Sequence, residues 1–168
     1  MFPALDNILD TLLLLIENAS GFSLFGALLL GIVFAPINRE TIVVFMALVA
    51  ASNVINPFFA YVVTVLATSF GYSLGFFLAK IFSGLLNNPS PKAKKKLERS
   101  DQLLKKYGTY AIMVSYYIPG ARHFLPVLIG GMGSMSTAKF MLNSKLGSMV
   151  WTATFFIPGY YLGDFLPF

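Results

Sequence analysis

The sequence predicts an all-α integral membrane fold, an inverted repeat of two opposed re-entrant helical hairpins, each followed by a transmembrane helix. Three observations predict it. Of the 168 residues, 57% are hydrophobic and only 11% are charged, and mean hydropathy is +0.74. A soluble domain covers its surface with about 25% charged residues. Thr41–Ala79 is a run of 39 residues without Asp, Glu, Lys or Arg, against the ~20 apolar residues that cross a bilayer. Finally, a layout of apolar arms, polar break and long apolar stretch occurs twice, with Pro36-x-x-Arg39 matched by Pro119-x-x-Arg122 83 residues later.

The same composition excludes several functions. There is no cysteine, so disulfides and thiolate metal sites are out. A single histidine, His123, argues against zinc, and no metal or cofactor is expected. The net charge of +5 is local: between Pro89 and Gly108, Lys92, Lys94, Lys95, Lys96, Arg99, Lys105 and Lys106 outweigh Glu98 and Asp101 by five, and the rest sums to zero. A basic loop in an apolar chain is the positive-inside signal. It places residues 89–108 in the cytoplasm and sets nucleic-acid binding aside.

The elements follow in order. Residues 1–20 read as an N-terminal interfacial helix, apolar with a polar edge at Asp6, Asp10 and Glu17. The two aspartates stand where a signal peptide needs a basic n-region. Residues 21–86 form the first repeat. Its apolar arms, Gly21–Ala35 and Thr41–Ala51, flank the break "PINRE". At ~1.5 Å per residue each arm is roughly 16 to 22 Å long, short of the ~30 Å hydrocarbon core, which predicts a hairpin that enters the membrane and returns. Pro57–Leu86 is a full crossing, with Gly71 and Gly75 spaced as a small-residue packing face.

Residues 87–108 hold a turn and a basic amphipathic helix, Pro91–Lys106. On the membrane surface, Leu97, Leu103, Leu104 and Tyr107 would face lipid while the lysines face water and anionic headgroups. Residues 109–168 repeat the plan: arms Thr109–Ile118 and Phe124–Met132 around "PGARH", then a crossing over 139–163 containing Trp151 and a kink or stop at Pro158-Gly159. One crossing between the hairpins makes them enter from opposite faces, the layout of secondary transporters with breaks near the midplane.

An arginine at membrane depth costs from ~3 to over 10 kcal/mol and persists with a partner, a wet cavity or an anionic ligand. Pro119 and Pro126 bracket Arg122 as structural breaks, as Pro36 does in the first repeat, and Gly120 permits torsions other residues avoid. The arm after the break would start a half-helix with free N–H groups. Arginine and helix N-terminus together make an anion site, with phosphate the commonest fit. The competing reading has Arg122 snorkel from an interfacial loop. Glu40 is the candidate counter-charge and proton carrier, or a plain ion-pair partner of Arg39. His123 is a relay or an ordinary loop histidine.

These residues resemble a known family. Asn87–Gly163 is similar to the C-terminal half of the DedA family of VTT-domain membrane proteins: Pro119-Gly120-x-Arg122-x-x-x-Pro126, the element "GGMGSM", and the series Asn143, Gly147, Trp151, Gly159-Tyr160 and Gly163. Upstream, "PINRETIVVFMALVAAS" resembles the family's Pro-Gly-acidic hairpin and puts Glu40 at the acidic position. The resemblance implies two opposed re-entrant hairpins and transport of a lipid phosphate. Bacterial members resembling this chain are undecaprenyl-phosphate translocases of the cytoplasmic (inner) membrane, linked to the proton-motive force, and eukaryotic relatives are scramblases. It implies a polyprenyl phosphate partner held by Arg122 with Arg39, Gly120, His123 and Tyr116, Glu40 as coupling residue, and a homodimer as the possible assembly.

The chain departs from the family where Tyr116 replaces a usual arginine and Tyr72 a usual acidic residue. That implies the two charges pair in other members and that two tyrosines replace the pair here. Many members carry a further C-terminal helix, whereas this chain stops at Phe168. The alternatives are a polyprenyl pyrophosphate phosphatase, a small-ion or proton exchanger, a non-specific phospholipid scramblase and a membrane-remodelling scaffold. A phosphatase wants a nucleophile or base beside several arginines; Ala121 stands where a serine would be useful, so no enzyme is expected.

Overall fold

The computed structural model describes residues 21–34, 38–82, 91–118, 120–132 and 135–165. The expected helix within 1–20, and Pro36 and Pro119, lie outside them. The described elements are all helical: α1 Gly21–Phe34, α2 Arg39–Ala51, α3 Pro57–Ile81, α4 Pro91–Tyr107, a 3₁₀ turn Gly108–Tyr110, α5 Ala111–Ser115, α6 Ala121–Met132 and α7 Thr137–Phe165. Their order reproduces the expected sequence of two short arms, long helix, basic helix, two short arms and long helix. Asn56 starts α3 by accepting the Phe58 and Phe59 amides on Oδ1 at 2.9 and 3.1 Å, the side-chain cap that asparagine supplies.

The helix α3, with 25 residues, is the one described helix long and apolar enough to cross a membrane by length and composition. At 29 residues α7 is longer, about 43 Å, but Lys139 and Lys145 in its first half lower its hydropathy. The chain folds as two compact units, Met1–Ala67 with Thr152–Phe168, and Thr68–Trp151.

In the first unit, α1 packs on α2. Buried Val43, Met46, Ala47 and Ala50 of α2 recur at three- and four-residue steps, the stripe of a helix with one covered face. Gly159 and Gly163 of α7 meet it. A Cβ on Gly159 would lie 3.0 Å from Ala47 Cβ, and one on Gly163 2.7 Å from Ala51 Cβ. This glycine pair at four-residue spacing brings two backbones together. Pro158 lies inside α7, which continues to Phe165, so of the expected kink or stop the stop is ruled out.

The core of the second unit is a column of near-parallel rings. Tyr116 stacks on Tyr72 with centroids 4.5 Å apart, Tyr72 on Phe140 at 5.8 Å, and Phe140 on Phe76 at 4.1 Å. Trp151 tilts against Tyr116 at 6.1 Å. Glycines admit this column: a Cβ on Gly147 would stand 3.0 Å from the Tyr116 ring, and one on Gly130 would overlap the Phe76 carbonyl oxygen. At Gly75, expected to be a close-packing residue, an added Cβ would meet only an ordinary contact, 3.7 Å from Pro126 Cβ.

Two expectations in this unit need correction. The arm Thr109–Ile118 is regular α-helix only over Ala111–Ser115. Beyond it the Tyr116, Tyr117 and Ile118 amides donate to Met113, Val114 and Ser115, three residues back. Ile118 precedes a proline, which disfavours the α region and ends the helix. Furthermore, α4 does not leave Leu103 and Leu104 wholly open to lipid. It packs on α5 and α6, with Ser100 buried and both leucines half-buried.

Candidate phosphate site

Both breaks deliver an arginine to the first turn of a helix. In the first unit Asn38 caps α2 through its carbonyl, which accepts the Thr41 amide at 3.0 Å. Arg39 is the first residue of α2 and is buried; Glu40 follows, half-buried. In the second unit Gly120 adopts φ +88°, a left-handed conformation that glycine enters without Cβ strain. Starting α6 at Ala121, it sets Arg122 and His123 in the first turn, earlier than the expected start at Phe124. Arg122 is half-buried and His123 exposed.

Two details differ from expectation. The amides of this first turn are taken up: Arg122 donates to the Ile118 carbonyl at 3.4 Å, and His123 and Phe124 to that of Gly120, both at 3.1 Å. The left-handed Gly120 turns the chain so that these carbonyls cap the helix from within, and the Arg122, His123 and Phe124 N–H groups are not the free donors expected there. Pro126 is no break; it is buried inside α6, where a proline removes one helical N–H but here leaves the helix continuous.

The arrangement places positive charge against the local field. A helix carries roughly half a positive charge at its N-terminus, which favours anions there and disfavours cations by about 0.3–1 kcal/mol. Arg39 and Arg122 both occupy that position away from full solvent. An anion in contact with such an arginine satisfies guanidinium and dipole together. Glu40 supplies negative charge beside Arg39, in the turn where a carboxylate is favoured. Arg39 and Glu40 belong to the first unit; Gly120, Arg122, His123 and Tyr116 belong to the second.

Tyr116 is 2% exposed and does not stand as an open ligand-binding group. Its hydroxyl donates to the Ser144 carbonyl and lies 3.1 Å from Ser144 Oγ, while the Tyr72 hydroxyl lies 2.6 Å from Ser115 Oγ. Ser115 Oγ in turn donates to the Ile112 carbonyl at 2.7 Å. The two tyrosines thus meet face to face, each tied to a serine, in a neutral hydroxyl network. Sequence reading missed Ser115 and Ser144. The available signal was the step Ser144, Ser148, Thr152, three fully buried hydroxyls on one face of α7.

The first unit also contains an open groove of about 390 Å³. It is lined by Pro57, Phe58, Tyr61, Phe156, Tyr160 and Tyr161 among others, and Tyr61 meets Phe156 edge-on at 5.6 Å. Rings with one polar tip are the residues enriched where lipid meets water.

Residues 37–161 match the VTT domain model. The chain is 25% identical over 157 residues to the membrane protein YbfM of Bacillus subtilis, covering 89% of this chain and 94% of that one. It is 29% identical over 147 residues to a membrane protein of Mycobacterium tuberculosis, covering 82% of this chain but 62% of that longer protein. It is 22% identical over 150 residues to a Staphylococcus aureus protein named undecaprenyl phosphate transporter A, covering 84% of this chain and 73% of that one. No solved structure matches. With the VTT model spanning most of its length, the chain belongs to the VTT-domain, or DedA, family of membrane proteins.

Proposed function

We propose that this protein moves a polyprenyl phosphate, an undecaprenyl-type carrier lipid, across the cytoplasmic membrane, with Arg122 holding the phosphate. The observation that carries the reading is a half-buried arginine in the first turn of α6, where the helix field calls for an anion. Membership of a membrane-protein family supports it, as does similarity to a relative named for undecaprenyl phosphate transport. In this reading α1–α2 and α5–α6 are the two opposed re-entrant hairpins of an inverted repeat, and α3 and α7 cross the membrane. Glu40 is the candidate proton carrier. Tyr116, buried in the ring column against Tyr72, acts by packing there rather than by touching phosphate.

The test is transbilayer movement of a fluorescent polyprenyl phosphate in proteoliposomes, with the phosphate-free polyprenol as control. Wild type moves the phosphate faster than the alcohol, Arg122→Ala abolishes the difference, and Arg122→Lys retains part of it, since a lysine keeps charge but loses the guanidinium fork. Equal movement of both lipids, or an unaffected Arg122→Ala protein, refutes the assignment and leaves a non-specific scramblase.

A further inference from the structure

The outward face of α4 has no role in the site above. It presents exposed Lys94, Lys95, Lys105 and Lys106, with exposed Glu98 and Gln102 between them. Over Pro91–Tyr107 seven basic residues stand against two acidic ones, Glu98 and Asp101, and Asp101 is engaged by Lys105 at 2.7 Å. At the end of the helix Tyr107 is 39% and Tyr110 67% exposed, with the Lys106 ammonium 5.1 Å from the Tyr107 ring centre. Lysines beside exposed tyrosines are the composition of a membrane–water boundary.

Position supports the same partner. Ile81 ends the candidate membrane span α3 and Pro91 opens α4, so the connecting chain can carry α4 at most about 36 Å from the end of that span. The way α4 is held then decides the kind of contact. The helix packs on α5 and α6, and on the side away from these lysines Ser100 is buried and Leu103 and Leu104 are half-buried. With Leu103 and Leu104 half-buried within the fold, the helix has little of these side chains left to insert into acyl chains. What it has left for the bilayer is charge.

We propose that the outer face of α4 is an electrostatic docking surface for anionic phospholipid headgroups, held by lysines and not by insertion. The proposal is independent of the transport reading. Its signature is sensitivity to lipid charge and to salt, because exposed ion contacts are screened within a Debye length of about 8 Å at physiological ionic strength.

The chain contains no cysteine, so a single Gln102→Cys carries a fluorophore to the middle of this face without competing labels. The full protein is reconstituted in nanodiscs of phosphatidylcholine, or of phosphatidylcholine with phosphatidylglycerol, each containing headgroup-spin-labelled lipid as quencher. Quenching is expected in the phosphatidylglycerol discs, falling strongly in 1 M salt and by roughly five-fold in occupancy per lysine removed in Lys94→Gln, Lys95→Gln, Lys105→Gln and Lys106→Gln combined. Those side chains are exposed, and unchanged thermal unfolding followed by Trp151 emission confirms that the combined variant is folded. Equal, salt-insensitive quenching in both discs overturns the proposal in favour of apolar seating. Absence of quenching in either disc also overturns it, turning the basic face to solution and an acidic protein partner.

Discussion

Replacing Gly130 by alanine adds one methyl group in the second unit, and the structure sets its consequence. The new Cβ would overlap the Phe76 carbonyl oxygen and stand 3.2 Å from Phe76 Cα. Both are backbone atoms of α3, so no rotamer change relieves the contact and α6 has to move away. Overpacking of this kind costs about 1–3 kcal/mol, and a rigid backbone neighbour places it near the upper end. Alanine recovers about 1 kcal/mol of helix propensity over glycine. The net loss is about 2 kcal/mol, which for a chain of this size lowers the melting temperature by roughly 4–8 °C.

The internal control is Gly26→Ala in α1, where a Cβ meets nothing within 4 Å and only the propensity gain applies. It should be neutral or stabilising. The assay is thermal unfolding in detergent, read by Trp151, which is 1% exposed and sits against Tyr116 within the same unit as Gly130. A Gly130→Ala protein as stable as wild type would refute the close approach of α6 and α3. Because α6 carries Arg122, the same variant should also lose polyprenyl phosphate transport.

Further outcomes follow from the same contacts. Tyr116→Phe keeps the ring stack but removes the hydroxyl's bonds to buried Ser144; it should cost about 1–2 kcal/mol in the melting assay. Tyr72→Phe should cost less, since Ser115 keeps its bond to the Ile112 carbonyl. Gly163→Val puts a branched side chain where one methyl already approaches Ala51 Cβ to 2.7 Å; it should separate α7 from α2 and lower expression or melting by more than Gly130→Ala does. Asp101→Asn breaks the exposed pair with Lys105 and should change stability by less than about 0.5 kcal/mol, measured in the same way.

Proline and glycine made the break positions legible. Pro36, Pro119 and Gly120 punctuate apolar runs, and punctuation is local, so the order of arms and long helices could be read residue by residue. The first-turn placement of Arg39 and Arg122 was nearly legible for the same reason. It was missed at Arg39 by two residues and at Arg122 by three, the second because the left-handed Gly120 lets the helix start immediately after it. Pro126 misled in the other direction: sequence reads proline as a break, while a helix supported by burial on its neighbours can run through one.

The sequence by itself determined that this is a helical membrane protein, the order of its described helices, and which two arginines stand at the breaks in its apolar runs. Each of those depends on residue type and short-range spacing. Only the tertiary structure decided which glycines are contact points, that Tyr72 and Tyr116 are stacked and separately tied to Ser115 and Ser144, and that Leu103 and Leu104 of α4 are half-buried. These depend on side chains tens of residues apart in the chain, Tyr72 and Ser115 being 43 apart. No periodicity reports which helix covers which face; that is settled by close packing, where a single methyl group at Gly130 or Gly163 decides whether two backbones can meet.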